Sequence, residues 1–412
     1  MTTLLKNVIE PKPIVYPHQK YHSIDNLRRK DKEFQYWMEQ EKKNPETPYE
    51  WIMTEKIHGS NMCFYIYNDG NIRVGKRNMM IGEKEDFCHW QGLLEKYRER
   101  LLAIRKSYLG ENENEGVIMA VYGEAYGGIY NGKDMPKSKE CVRPVQKQVE
   151  YCPHIDFMVF DIAIMEGEVG YPDVSNLLYL EFEEAQKLCL DHDMPFTPVL
   201  FESKGLSLSE FVSSFDPETF YTTLPAYHNM PERVQGPQVA EGVVLRLRNA
   251  GQQYYRGRSA MWKIKSLAFQ ETLRPDPSVE LSRKKHKEAI RQFKSESISP
   301  SSSSLPDVPK ELEPLLDLLS CYVTLPRLHN VISKIGSHNA EKKYPLKALA
   351  GLLTSDAYAD FIKDLEQSIS TSDNEIVHNA ASMPSKKDLK MLKPHLFQLC
   401  MEFICEQMNE RA

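Results

Sequence analysis

The residues best suited to chemistry begin with Lys56, in the segment WIMTEKIHGSN at residues 51–61. A strand-like run leads into this lysine, and Gly59 follows it closely, where a glycine allows the backbone to turn tightly. A lysine amine attacks phosphorus or carbonyl carbon once burial or neighbouring cations lower its pKa. By itself the pattern is weak, because lysine and glycine at this spacing occur about once by chance in a chain of 412 residues.

Further candidate side chains lie in or beside apolar, strand-like runs between residues 117 and 265. They are Glu124, Phe160 with Asp161, Glu241, and the pair Lys263 and Lys265. The two lysines are two positions apart and therefore project from the same face of a strand. A charge in such a run is costly unless it meets a partner or a ligand. Taken singly, each charged residue is more often a salt-bridged strand end.

As a set, these residues supply the parts that phosphoryl transfer requires. They include a nucleophilic lysine, two lysines to neutralise a triphosphate, carboxylates for a hydrated divalent ion, and an aromatic ring for a base. The sequence has no G-x-x-x-x-G-K-[ST] loop. Side chains, rather than a glycine-rich loop, would therefore hold the phosphates.

The elements that must position these residues are predicted to be mainly strands between residues 51 and 266. Predicted strands cover residues 62–67, 72–74, 117–122, 157–165, 242–248 and 260–264. The sequence NDGN at residues 68–71 predicts a hairpin, because Gly70 tolerates a positive φ. A helix is predicted from apolar residues that recur every three or four positions, namely Phe87, Trp90, Leu94, Tyr97, Leu101 and Ile104. A mixed or antiparallel sheet packed by helices follows.

The residues after 270 differ in composition and hydrophobic pattern from those before them. Residues 271–310 are predicted to be a linker, whose basic run at 283–294 either follows a phosphate backbone or forms a solvated helix face. Residues 311–412 have leucines at helical spacing, which predicts a small helical bundle. Pro326 and Pro394 are expected to end or kink their helices. The domains are therefore predicted as 1–270, including an N-terminal extension at 1–50, and 311–412.

Composition excludes several classes of protein. The net charge is −6, so the chain as a whole is not a polycation that coats nucleic acid. No apolar run is long enough for a membrane span, and the start lacks the build of a secretory signal, which predicts an intracellular, cytoplasmic or nuclear protein. The 8 cysteines include no C-x-x-C pair, which favours reduced, mostly buried thiols over structural zinc.

The order of motifs resembles that of the covalent nucleotidyltransferases, and within them the RNA ligase 2 family of phage-type and kinetoplastid-editing enzymes. The motifs are KIHG at 56–59, GKRN at 75–78, YGE at 122–124, VFDI at 159–162, EGVVLR at 241–246 and WKIK at 262–265. The segment CYVTLPRLHNVISKIG at 321–336 also resembles the helical C-terminal domain of the phage enzyme. The resemblance implies an α+β fold, with an ATP-grasp-like ligase domain of antiparallel or mixed sheets followed by an all-α domain.

The resemblance also implies a reaction in three steps. Lys56 attacks the α-phosphorus of ATP to form lysyl-AMP and pyrophosphate, with Mg²⁺ or Mn²⁺ as the cofactor. The AMP then passes to a 5′-phosphate of RNA, and a 3′-hydroxyl displaces it to close a phosphodiester. The implied substrate is nicked double-stranded RNA, recognised largely by shape, with no membrane partner and a monomeric enzyme.

Roles at individual positions come from the same resemblance. Lys56 is the implied nucleophile, and Lys263, Lys265 and Glu241 complete the implied catalytic set. Glu241 would hold the metal through its waters, and the two lysines would bind the α-phosphate. Other implied contacts to the nucleotide are Glu55 and Ile57 at adenine, Phe160 stacked on it, Glu124 near the ribose, and Arg77, which would later reach the RNA 5′-phosphate.

Three features depart from the family pattern. His58 replaces the aspartate that DNA ligases carry in motif I, so the part this position plays near the metal is open. Arg246 ends motif IV where the phage enzyme has lysine, and arginine binds as a fork rather than as a point charge. An insertion between Glu124 and Phe160 contains five basic residues, Lys133, Lys137, Lys139, Arg143 and Lys147. It either adds RNA contacts or forms a mobile surface loop.

Alternative functions share the lysine chemistry or the scaffold. An mRNA capping guanylyltransferase and a DNA ligase both use a nucleophilic lysine, but no recognisable OB-fold segment follows residue 265. A catalytically inactive RNA-binding homologue is a third alternative. It is disfavoured because every motif lysine and carboxylate is present.

Overall fold

A computed structural model of the chain shows two compact units, residues 1–266 and 267–412. It describes residues 16–27, 31–44, 49–110, 116–129, 143–168, 171, 173–216, 220–229, 238–248, 260–270, 308–309, 312–335, 346–370 and 385–409. The predicted linker falls almost entirely outside these residues, as do Lys133, Lys137 and Lys139. The antiparallel or mixed sheets of the first unit and the helices of the second confirm the predicted fold class.

The larger sheet of the first unit has six strands in the order β5-β4-β3-β6-β7-β8, each antiparallel to its neighbour. The strands are β3 (Ser60–Ile66), β4 (Ile72–Lys76), β5 (Met79–Met80), β6 (Val117–Gly127), β7 (Ile155–Glu166) and β8 (Ser175–Tyr179). The predicted hairpin joins β3 to β4, and Gly70 has the positive φ of +77° that its turn requires. The longest strands of this sheet, β6 and β7, pair with each other in its interior.

The second sheet has five strands in the order β1-β11-β10-β2-β9. They are β1 (Asp25–Asn26), β2 (Trp51–Glu55), β9 (Val199–Glu202), β10 (Gly242–Leu247) and β11 (Met261–Lys265). Every neighbouring pair is antiparallel except β1 and β11. The strand predicted at 242–248 is thus adjacent to the strand that leads into Lys56, and the strand predicted at 260–264 is the next one beyond it.

Helices cover the apolar faces of the sheets. They are α1 (Lys32–Lys43), α2 (Trp90–Leu109), α3 (Phe182–Leu190), α4 (Leu208–Ser214) and α5 (Leu224–Tyr227). Tyr97, Leu101 and Ile104 of α2 are buried in a core with alternate residues of β3, β6 and β7, which confirms the predicted helix face. Phe87 is also in this core but precedes the helix, which begins at Trp90.

The N-terminal extension belongs to the first unit. Tyr21 is buried against the aromatic outer face of the six-stranded sheet, and Phe34 of α1 is buried in the core of the five-stranded sheet. Asp31 caps α1, because its side chain accepts hydrogen bonds from the amides of Glu33 and Phe34. The aromatic residues of this extension thus serve to dock it onto both sheets.

The second unit contains α6 (Glu313–Ser320), α7 (Leu325–Ile335), α8 (Leu346–Ser370) and α9 (Lys386–Asn409). Leucines of all four helices share one core, as their spacing predicted. The expectation that Pro326 ends a helix was wrong, because it occupies the second position of α7, where a missing amide hydrogen is tolerated. Pro394 likewise does not end its helix, since α9 continues past it to residue 409.

Two further predictions concern the cysteines and the membrane. All seven cysteines that the structure describes are free thiols, and five of them are buried. Among the described residues, no helix combines the length and the apolar character that crossing a membrane requires.

Candidate active site

Lys56 lies immediately after β2, in the short segment that connects the two sheets. Its backbone amide donates to the carbonyl of Gly242 at 2.8 Å, which fixes it beside the start of β10. Its amine Nζ lies 2.8 Å from Oε2 of Glu241, and its side chain is 24% exposed. The amine is therefore held in a partly buried, polar position rather than extended into bulk solvent.

Gly59 permits the connection between the sheets by its lack of a side chain. A Cβ atom at this position would lie only 2.2 Å from the carbonyl oxygen of Ala125 on β6. Gly59 was predicted to allow a tight turn. The structure shows that it also allows its own backbone to approach that of Ala125 closely. That approach brings the segment after Lys56 against the strand that carries Glu124.

Glu241 connects the charged residues of the site. Its Oε2 contacts Lys56 and lies 3.2 Å from Nδ1 of His58, and its Oε1 lies 3.2 Å from Nζ of Lys265. Burial opposes ionisation of this carboxyl, but Lys56, Lys265 and His58 hold its pKa well below the ordinary value. Glu241 is therefore ionised, and two ammonium groups share one carboxylate.

Glu124 is a second carboxyl near the same lysine, but in a different state. Burial raises its pKa to about 8, and the charge of Glu241 acts in the same direction. The charges of Lys56 and Arg77 oppose this rise. At pH 7 Glu124 is therefore mainly protonated while Glu241 is ionised, a separation typical of sites that do chemistry.

Glu55 directs its carboxylate to Thr222 and Thr223. Its Oε1 accepts a hydrogen bond of 2.5 Å from the hydroxyl of Thr222, and its Oε2 accepts from the amide of Thr223 at 3.2 Å. Burial raises the pKa of this carboxyl to about 7, although these hydrogen bonds act against the rise. Sequence reasoning missed both threonines, because nothing in their own segment marks them as partners of Glu55.

His58 fills the position at which sequence analysis left a role open. Besides its contact with Glu241, its Nε2 lies 2.7 Å from Oε1 of Gln148, and its backbone amide donates to the hydroxyl of Tyr151 at 2.8 Å. The segment at 143–151 thus holds the loop that follows Lys56. Arg143 and Lys147 lie in this segment and are exposed.

The remaining predicted residues lie around this centre. Lys263 is two positions before Lys265 on β11, in agreement with a shared strand face, and its carbonyl accepts from Leu27 at 2.9 Å. Ile57 is buried beside Lys56. Arg77 follows β4, and its charge acts on Glu124.

Phe160 lies in a separate group. Its ring packs edge-on against Tyr21, with ring centroids 4.9 Å apart, and its carbonyl accepts from Arg246 at 3.3 Å. The described polar and ring contacts thus join Phe160 to the N-terminal extension and to β10, not directly to Lys56. Sequence reasoning missed Tyr21 as its neighbour, since the two residues are far apart in the chain.

Together these residues form a site for a polyanion. Two lysines share one carboxylate and the second carboxyl is mainly protonated at pH 7, so the centre carries an excess of positive charge. Such a centre attracts phosphates and stabilises the negative charge that builds on a transferring phosphate. A phosphate beside a positioned amine is the arrangement that nucleotidyl transfer to lysine needs.

Comparisons with known proteins show that the chain is similar to RNA ligases. The family model described as RNA ligase matches residues 49–264, and the one described as T4 RNA ligase 2 C-terminal matches residues 306–387. RNA-editing ligase 2, mitochondrial, of Trypanosoma brucei brucei is 30% identical over 342 residues, which is 78% of each chain. RNA-editing ligase 1, mitochondrial, of the same organism is 28% identical, over 77% of this chain and 71% of the relative.

Among solved structures, Naegleria gruberi RNA ligase with PPi is similar at a TM-score of 0.35 and 17% identity. The match covers 65% of this chain and 58% of that one. A variant of the same ligase with ATP and Mn has a TM-score of 0.36 and 19% identity, over 60% of this chain and 57% of that one.

Proposed function

The chain belongs to the RNA ligase family, and from this premise we propose that it is an ATP-dependent ligase that seals nicks in duplex RNA through lysyl-AMP. The observation that carries the proposal is the position of the Lys56 amine, 2.8 Å from Glu241 and in a group with Lys265. An amine that merely preceded a surface turn would not be held in this way.

In the first step, the Lys56 amine attacks the α-phosphorus of ATP. The ammonium first gives one proton to water. The neutral amine then forms the nitrogen–phosphorus bond as the bond to the pyrophosphate oxygen breaks, and the nitrogen releases its second proton to the departing pyrophosphate. Glu241 orients the amine through its Oε2, and Lys265 offsets the negative charge that builds on the phosphate oxygens. Lys263, on the same strand face, has the same role.

Further residues bind the nucleotide. Glu55 and Ile57 flank the nucleophile and present backbone groups to adenine. Phe160, whose ring packs against Tyr21 in this structure, is the residue that the family resemblance assigns to stacking on the base. Glu124 lies close enough to Lys56 for their charges to interact, and the family resemblance assigns it to the ribose side of the site. Arg77 binds the nucleotide first and the RNA 5′-phosphate afterwards.

In the second step, a 5′-phosphate oxygen of RNA attacks the phosphorus of lysyl-AMP and releases Lys56. In the third step, a 3′-hydroxyl attacks the RNA phosphorus, and AMP leaves as the phosphodiester forms. The helical unit at 267–412 binds the nicked duplex. The match of residues 306–387 to the C-terminal family model of T4 RNA ligase 2 supports this role. The enzyme acts as a monomer.

The donor set fits a hydrated divalent ion, either Mg²⁺ or Mn²⁺. Glu241 is ionised and its two oxygens are already held by cations, so it suits contact through water rather than direct ligation. When bound, such an ion neutralises charge on the transferring phosphate. The protein residues supply the orientation and the remaining positive charge.

The cellular location remains a prediction, because the two curated relatives are named as mitochondrial whereas the sequence analysis favoured the cytoplasm or nucleus.

The test compares sealing of a 5′-phosphorylated nick in an RNA duplex, in the same DNA duplex, and in single-stranded RNA, each with ATP and with GTP. We expect sealing of the RNA duplex with ATP. Preference for nicked DNA, or for single strands, would overturn the proposed substrate.

A further inference from the structure

A second cluster of chemically active side chains lies in the first unit, apart from the charged centre at Lys56. Cys152, His154 and His228 place Sγ and one nitrogen of each ring within 4.8 Å of one another. Cys152 is fully buried, and both histidines are partly buried. A thiol and two imidazoles are the donors that proteins use for zinc.

We propose that Cys152, His154 and His228 bind one zinc ion, with water in the fourth position. Zinc–sulfur bonds of about 2.3 Å and zinc–nitrogen bonds of about 2.0 Å place the donors of a tetrahedral site about 3.5 Å apart. Donors within 4.8 Å reach this spacing by small side-chain movements. The proposal is independent of the ligase reaction.

The surroundings of the two rings resemble those of histidines in zinc centres. The hydroxyl of Tyr126 lies 2.8 Å from Nε2 of His228. Oδ2 of Asp156 lies 3.6 Å from Nε2 of His154. An oxygen partner beside a ring nitrogen fixes ring orientation, and such partners tune the affinity of metal sites.

The chain segments that carry the three donors also hold the segment around Lys56. Tyr151, next to Cys152, accepts the hydrogen bond from the amide of His58. Thr222 and Thr223, a few residues before His228, hold the carboxylate of Glu55. A zinc ion between these segments would therefore brace Glu55, directly before the nucleophile, and His58, two positions after it.

Sequence spacing alone did not predict this site. Cys152 and His154 are two positions apart, and His228 lies far along the chain, so no finger-like pattern exists. The end of β6 brings the parts together: the amide of Gly128 donates to the carbonyl of Cys152 at 3.1 Å, and the hydroxyl of Tyr126 lies 2.8 Å from Nε2 of His228. The donor set is a product of tertiary structure.

The test uses the full chain, purified without chelators, and measures its metal content by elemental analysis. We expect about one zinc per chain, and a thiolate-to-cobalt charge-transfer band after replacement of zinc with Co²⁺. Cys152→Ser should abolish the band, and His228→Ala should lower zinc affinity by roughly tenfold or more. Cys405→Ser, which removes a partly buried thiol of the other unit, is the matched control. It should keep both the cobalt band and the zinc affinity of the parent chain.

His154→Gln provides a variant that is expected to fold, because the His154 side chain is 32% exposed. It should weaken zinc binding while circular dichroism remains that of the parent chain. The proposal is overturned if the parent chain holds no zinc and shows no cobalt band. It is also overturned if folded His154→Gln and Cys152→Ser bind zinc as tightly as the parent.

Discussion

Asp161 on β7 and Arg246 on β10 form a buried ion pair, with Oδ1 and Nη2 2.9 Å apart, that joins the two sheets of the first unit. The other carboxylate oxygen accepts from the hydroxyl of Tyr21, so the N-terminal extension shares the same contact. The pair also supports Phe160, whose carbonyl accepts from Arg246. The arginine at the end of motif IV thus has a structural partner that a sequence comparison does not reveal.

Asp161→Asn is expected to lower the free energy of unfolding by about 3 to 5 kcal/mol, because it removes the carboxylate charge that pairs with the buried Arg246 guanidinium. Urea denaturation measures the change. Glu83→Gln is the matched control, since it removes an exposed partner 3.0 Å from Arg73 and should cost less than about 1 kcal/mol. Equal effects of the two substitutions would contradict the role of the buried pair.

Glu241→Gln is expected to reduce formation of the enzyme–AMP adduct by about 100-fold or more, since it removes the charge that orients Lys56 and Lys265. The rate of adduct formation with labelled ATP measures this loss. Glu183→Gln, which changes an exposed carboxylate 3.5 Å from Arg248, should leave the rate unchanged. A Glu241→Gln enzyme with the parent's rate would exclude Glu241 from the chemistry.

The contribution of Glu124 to the stability of the first unit should fall as pH rises from about 4.5 to about 8. Burial raises the pKa of Glu124 from the ordinary 4.5 to about 8, so the folded chain keeps a proton that the unfolded chain has lost. Glu55, with its pKa raised by burial to about 7, acts in the same direction.

Urea denaturation at pH 5.5 and pH 8.5 tests this dependence. The loss of stability between these two values should be smaller in Glu124→Gln, whose side chain stays neutral at both. An identical loss in the variant and the parent would show that Glu124 does not titrate in this range.

A fragment that ends at Lys294 should still form the AMP adduct, because the residues of the lysine chemistry all lie in the unit at 1–266. Its sealing of nicked duplex RNA should fall by about 100-fold, since it lacks the helical unit as a second binding surface. Adduct formation and sealing are measured side by side on the same preparation. A fragment that seals as well as the full chain would contradict the role given to the helices.

Much of the local structure could be predicted from the sequence. The hairpin of β3 and β4, the strands β6, β7, β10 and β11, and the buried face of α2 follow from alternation, helical periodicity and a turn glycine. Strand β1 could not be predicted, because its two residues have no apolar pattern and pair in parallel with β11 through tertiary contact. Phe87 shows the limit of periodicity, since it is buried in phase with α2 but lies outside it.

For the candidate site, likewise, the residue types could be predicted from the sequence but most of their contacts could not. Lys56, Glu241 and Lys265 could be selected as charges beside apolar strands, but their contact depends on the pairing of β2 with β10 and of β10 with β11. The partners of Glu55 and His58, namely Thr222 and Gln148, lie in segments without periodic pattern. Long-range packing decides such contacts, and a single sequence does not encode them in its spacing.

The most direct test of the account is to incubate the full chain with ATP labelled at the α-phosphate and a divalent ion, and then to map the labelled peptide. The account predicts one AMP adduct, linked to the amine of Lys56, and no adduct in Lys56→Arg, because a guanidinium stays protonated and does not attack phosphorus. An adduct on another residue, or an undiminished adduct in Lys56→Arg, would contradict it.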